Sequence, residues 1–149
     1  MVIPLRNQAT DEQHPAAPPR YGTVWGHEGT SIADARRAVR SLLSYAGHDP
    51  SHQPGQDAQI VVSELVTDAL RHAPGPGALL LELSLDHTLL RITVRDSSPR
   101  PPRLLTPDPH RIGGHGLHLI TRLCDTFHTI AHDHGKQVTA HLRMPGPTA

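Results

Sequence analysis

Glu64, Asp68 and His72 stand four residues apart in the run Ser63-Glu64-Leu65-Val66-Thr67-Asp68-Ala69-Leu70-Arg71-His72-Ala73, which reads as helix. Each four-residue step turns about 400°, so the three drift only about 40° per step and share one stripe. Val61, Val62, Leu65, Val66, Ala69 and Ala73 fill the adjoining arc. The carboxylates therefore flank the buried face, where they can point into a cleft between helix and sheet. Two carboxylates one turn apart can divide two tasks. One can hold Mg²⁺, a hard cation that takes oxygen ligands. The other can accept a proton from an attacking hydroxyl or water. The same spacing also describes a solvated acidic edge, and such pairs are common on helices.

A second chemical feature is Gly113, Gly114 and Gly116, directly before a predicted helix. Glycines let backbone N–H groups approach a ligand closely. The first helical turn adds unsatisfied N–H groups and positive partial charge, which suits phosphate. A plain loop uses the same residues, and no Lys-Ser/Thr follows Gly116 to complete a P-loop. Asp96 ends a predicted strand, where it can accept from the exocyclic amine of a base or cap the Ser97-Ser98-Pro99 turn. Lys136, the only lysine, follows Gly135 in a predicted hairpin turn; locally this reads as an ordinary glycine turn with a solvated lysine. Thirteen histidines raise the question of metal. His115 with His118, and His132 with His134, lack the remaining ligands of a closed tetrahedral set.

These residues need elements to position them. The periodicity predicts helices over residues 31–46, 56–73 and 116–125. Alternating apolar runs predict strands at 78–85, 89–96, 127–132 and 137–142, with a short edge strand at 21–25. Residues 49–55 read as a loop from their Pro, Ser and Gly content. Ser97–His115 is a long loop, a length that in a compact domain usually serves function. Strands joined by short turns, with helices between, predict an α+β fold: a two-layer sandwich with a mixed, mostly antiparallel sheet and helices on one face. The expected organisation is a flexible arm at 1–20, one domain at 21–144 and a tail at 145–149.

The 149 residues suit one core, and the formal net charge is zero. Nothing in that balance points to nucleic acid or an acidic membrane. The most apolar stretch, 78–94, is broken by Glu82, Asp86, His87 and Arg91, which rules it out as a membrane span. Cys124 is the only cysteine, so an intramolecular disulfide is impossible, which fits a reducing cytoplasm.

Together these pieces resemble the GHKL ATPase superfamily, and within it the small bacterial branch of anti-sigma-factor serine/threonine kinases. Residues 63–73 resemble that branch's N-box. Val94-Arg95-Asp96-Ser97-Ser98-Pro99 resembles the first glycine box in its Asp-x-Ser-Pro form. Gly114-His115-Gly116-Leu117 resembles the second glycine box, and Gly135-Lys136-Gln137-Val138 the Gly-Lys-x-Val turn near the end of these domains. Ala35-Arg36-Arg37-Ala38-Val39-Arg40 is similar to their first helix. The resemblance spans about residues 30–142 and implies the Bergerat ATP-binding fold. It implies Glu64 as general base, Asp68 at the position that binds Mg²⁺, Asp96 on the adenine amine, and Ser97–His115 as a lid over ATP. Gly114, His115, Gly116 and Leu117 would line the phosphates, with His72 and Lys136 beside the nucleotide.

Two departures stand out. Asp68 replaces the branch's asparagine, which adds a negative charge near the triphosphate. At about 4 Å, like unit charges repel by about 4 kcal/mol at an effective dielectric of about 20. The first glycine box also lacks glycine at residues 97–99. The resemblance implies a cytoplasmic kinase that phosphorylates a serine on an anti-sigma antagonist and also binds a sigma factor, with a homodimer as the branch's common state. A second expectation, favoured by Asp68, is a regulator that sequesters a partner without phosphoryl transfer. A third, the catalytic domain of a histidine kinase, fits less well because no helix pair bearing a phosphoacceptor is evident.

Overall fold

The computed structural model describes residues 17–100 and 120–145. Five strands form one sheet: β1 (Arg20–Trp25), β2 (Gly77–Leu83), β3 (Leu89–Asp96), β4 (Thr126–His132) and β5 (Gly135–Arg143). Their order across the sheet is β1-β2-β3-β5-β4, and each neighbouring pair is antiparallel. Helices α1 (Ile32–Tyr45) and α2 (Gln53–His72) form the second layer. This is the two-layer α+β sandwich, with a sheet that is wholly antiparallel among the described residues.

Ser31 caps α1 by accepting from the Asp34 N–H at 3.2 Å. Ala35, Ala38, Val39, Leu42 and Leu43 then bury one stripe. On α2 the buried stripe includes Ala58, Val61, Val62, Leu65, Val66 and Ala69. Both stripes meet one sheet face, where Leu79, Leu81, Leu83, Leu90, Ile92, Val94, Val138, Ala140 and Leu142 complete a single core. Alternation along each strand sends every second side chain to that face.

Several boundaries differ from the sequence expectation. Helix α2 starts at Gln53, inside the stretch read as a loop. Pro54 sits in its first turn, where a missing N–H costs nothing. Gly55 is there for close packing: a Cβ on it would lie 2.6 Å from the Pro50 carbonyl oxygen. Strand β2 stops at Leu83 because Ser84 begins the hairpin turn. There Asp86 Oδ1 accepts from the Ser84 hydroxyl and from the Thr88 N–H and hydroxyl. These bonds, Ser84's first, pull the Asp86 carboxyl down to about 2. Of the helix expected at 116–125, residues 120–123 are described and helical. It ends there, because the Asp125 N–H already donates to the His141 carbonyl at the start of the β4–β5 pairing. Lys136 belongs to β5 and not to a turn.

Candidate functional site

Strand parity puts Asp96 and Lys136 together. Asp96 shares its face with Leu90, Ile92 and Val94, and Lys136 shares its face with Val138, Ala140 and Leu142. The register sets Asp96 directly opposite Lys136. Lys136 Nζ lies 2.7 Å from Asp96 Oδ2, and each side chain is 3% exposed. The expectation of a solvated lysine is therefore corrected: the ammonium is enclosed at the end of the sheet. Gly135 permits the approach, since a Cβ there would overlap the Asp96 carbonyl oxygen.

The other Asp96 oxygen, Oδ1, accepts from the Ser98 N–H at 2.9 Å. Asp96 thus does cap the turn after β3. An ionised carboxylate has about four lone-pair positions, so two capped directions leave room for a further donor.

Helix α2 brings Asp68 within electrostatic reach of this pair. Asp68 is half-buried, and its nearest charge partner is His72 Nε2 at 3.7 Å from Oδ1. Burial pushes the Asp68 carboxyl above the usual aspartate range. The Asp96 charge adds to that, while His72, Lys136 and Arg71 oppose it. Asp68 therefore lies within electrostatic reach of both Asp96 and Lys136. Glu64, one turn earlier, is also half-buried. No hydrogen bond or ion pair ties its carboxylate among the described residues. Arg36 Nη1 donates to Ser63 Oγ at 3.0 Å, and Arg40 Nη1 donates to Gln59 Oε1 at 3.1 Å. These bonds from α1 hold the turn of α2 that precedes Glu64. His72, mostly exposed in the last turn beside Arg71, also suits the negative end of the helix.

The structure thus brings Asp68, Asp96 and Lys136 into one electrostatic cluster, with Glu64 and His72 on the adjoining turns. Gly114, His115, Gly116 and Leu117 lie outside the described residues, as does most of the Ser97–His115 stretch. His132 and His134 are both exposed at the β4–β5 turn. Among the described residues, no group of three or more His, Cys, Asp or Glu is placed to hold a metal ion. Mg²⁺ does not need such a cage, since one or two carboxylates and substrate phosphates suffice. Asp68 fits that role: it is a half-buried carboxylate, raised chiefly by its burial, with an oxygen to offer a hard cation. Among the described residues, no helix is long and apolar enough to cross a membrane.

Residues 27–142 match the family model for a histidine kinase-like ATPase domain. No curated protein matches the chain. Among solved structures, the chain is similar to the RsbU and RsbW domains of Rv1364c from Mycobacterium tuberculosis, with a TM-score of 0.62 and 19% identity. That likeness covers 90% of this chain but 35% of the other, so the chain spans about a third of that structure's length. At such identity the likeness concerns the fold.

Proposed function

Because the chain belongs to the histidine kinase-like ATPase domain family, we propose that it binds ATP with Mg²⁺ and transfers the γ-phosphoryl group to a serine of an anti-sigma antagonist protein. ATP lies between α2 and the end of the sheet. Asp96 accepts from the adenine amine while Lys136 and the Ser98 N–H hold its carboxylate in place. Glu64 takes the proton of the attacking serine hydroxyl as the oxygen bonds to the γ-phosphorus and ADP departs. Asp68 holds Mg²⁺, which when bound neutralises charge on the phosphates. His72 flanks Asp68, and Gly114, His115, Gly116 and Leu117 line the phosphates. The working unit is residues 21–144, in the cytoplasm, with the 1–20 arm and the 145–149 tail outside it. A sigma factor and a second copy of the chain are its further partners.

The observation that carries this reading is the buried Asp96–Lys136 pair, with Asp68 of α2 within electrostatic reach of it. It supplies a fixed acceptor for a base near a half-buried carboxylate able to take a hard cation. The test is incubation with γ-labelled ATP, Mg²⁺ and the antagonist, alongside Glu64→Ala and Asp68→Asn. Transfer by the parent, lost in Glu64→Ala, is expected.

Asp68 favours a second reading. Its carboxyl already resists ionisation, and a triphosphate brings more negative charge to it. A regulator that holds its partner without phosphoryl transfer fits that feature. No transfer by the parent, with transfer gained in Asp68→Asn, supports this reading over the first.

A further inference from the structure

The sheet has a second face that carries none of the residues assigned above. On β3 it presents Arg91, Thr93 and Arg95; the register sets His141, Thr139 and Gln137 opposite them on β5. His128 of β4 lies opposite Thr139. These rows floor a depression of about 810 Å³, within the size range of small-molecule sites.

Two properties set this floor apart from a solvated sheet surface. The first is a pair of hydroxyls. Thr93 is 7% exposed and Thr139 3%, although Arg91 and Arg95 on either side of Thr93 are exposed. Neither hydroxyl makes a hydrogen bond among the described residues. Buried polar groups are normally paired, so two neighbouring unpaired hydroxyls mark places for a ligand's atoms. The second property is charge. Arg91 gives Nε and Nη2 to Glu82 Oε1, at 2.9 and 2.6 Å, so its charge is answered. Arg95 gives only Nε to the neutral Gln137 Oε1, at 2.9 Å. No carboxylate answers Arg95 among the described residues, and its remaining N–H donors are free there.

We propose that this face binds a small oxyanion, a phosphate or carboxylate group, with Arg95 as charge partner and the Thr93 and Thr139 hydroxyls as donors. A guanidinium fork matches either group, and a hydroxyl turns its hydrogen toward whichever acceptor arrives. Arg95 is two residues from Thr93 along the strand, about 7 Å. A long side chain spans that distance to reach an ion seated over the hydroxyls. The depth of the hydroxyls between two arginines suits a small group better than a polypeptide backbone. A second copy of the same face is a poor occupant, because it sets Arg91 and Arg95 against their own counterparts.

The test is a backbone-amide NMR titration of the full chain without nucleotide. Inorganic phosphate and citrate are added separately, against sodium chloride at matched ionic strength. Saturable shifts at Thr93, Arg95, Gln137 and Thr139 are expected, and the stronger of the two anions identifies the preferred group. Thr93→Val and Thr139→Val keep side-chain shape and strand propensity. Each is expected to weaken the anion at least tenfold, as is Arg95→Gln, with ATP affinity unchanged. Shifts that never saturate, shifts confined to Asp68 and Lys136, affinity indifferent to Thr→Val, or anion-independent dimerisation through these amides would each overturn the proposal. Failure of ATP binding alone leaves it standing, because the two sites lie on opposite faces.

Discussion

Lys136 Nζ and Asp96 Oδ2 sit 2.7 Å apart at the end of the sheet, with each side chain 3% exposed. A buried charge that loses its partner is costly, typically about 3–5 kcal/mol. Lys136→Met is therefore expected to destabilise the chain by about that amount in urea unfolding. Replacing both partners, Lys136→Met with Asp96→Leu, should recover much of the loss because no charge is stranded. A loss under about 1 kcal/mol in the single variant would show that water reaches the pair.

Asp68 predicts a pH dependence of definite sign. Its carboxyl is raised above the ordinary value by burial first, so the folded state holds that proton more tightly than the unfolded chain. The stabilisation this gives is complete below the ordinary aspartate value and is lost as pH rises through the raised one. At neutral pH the charge on Asp68 thus opposes folding. Asp68→Asn should raise Tm at pH 7, and the gain should vanish as the pH falls below about 4. A gain that persists in acid would mean that packing, not charge, is responsible.

Much of this was legible in the sequence, and the reasons differ by residue. The stripe of Glu64, Asp68 and His72 followed from helix geometry, and α2 does present them beside its buried arc. The parent layers followed from strand alternation joined by short turns. The start of α2 is hidden in the sequence because Pro54 and Gly55 look like loop residues in isolation; one sits in the permissive first turn and the other packs on Pro50. Lys136, judged by its glycine neighbour alone, is predicted to be solvated. Its parity with Val138, Ala140 and Leu142 already put it on the core face, and Asp96 has the same parity with Leu90, Ile92 and Val94. What no local pattern carries is the register of β3 on β5, which makes those two residues a pair.

Gly77 meets Trp25 across the β1–β2 pairing, and a Cβ at Gly77 would lie 2.5 Å from the indole ring. Trp25 is the only tryptophan, so its emission reports this contact alone. Gly77→Ala should shift that emission to the red as the ring is displaced toward water. Overpacking of this kind should also cost about 1–3 kcal/mol. Unchanged emission would mean that the edge strand yields without moving the ring.

Cys124 is half-buried, and burial pushes its thiol up to about 12, with the Asp125 charge adding to the effect. The thiolate is the reactive form, so little of it exists near neutral pH. Iodoacetamide should label native protein at pH 7.5 at least tenfold more slowly than urea-unfolded protein. Equal rates would place the sulfur in solvent.

The most direct test of the nucleotide reading changes the ligand and leaves the buried pair intact. In calorimetry with Mg²⁺, ATP is compared with inosine triphosphate, which carries a carbonyl where adenine carries its amine. Asp96, held by Lys136 and the Ser98 N–H, offers only acceptor positions. A hydrogen bond to a charged group contributes about 1.5–3 kcal/mol, so ATP should bind at least tenfold more tightly. Equal affinity for the two nucleotides, or no saturable heat with either, would contradict the assignment.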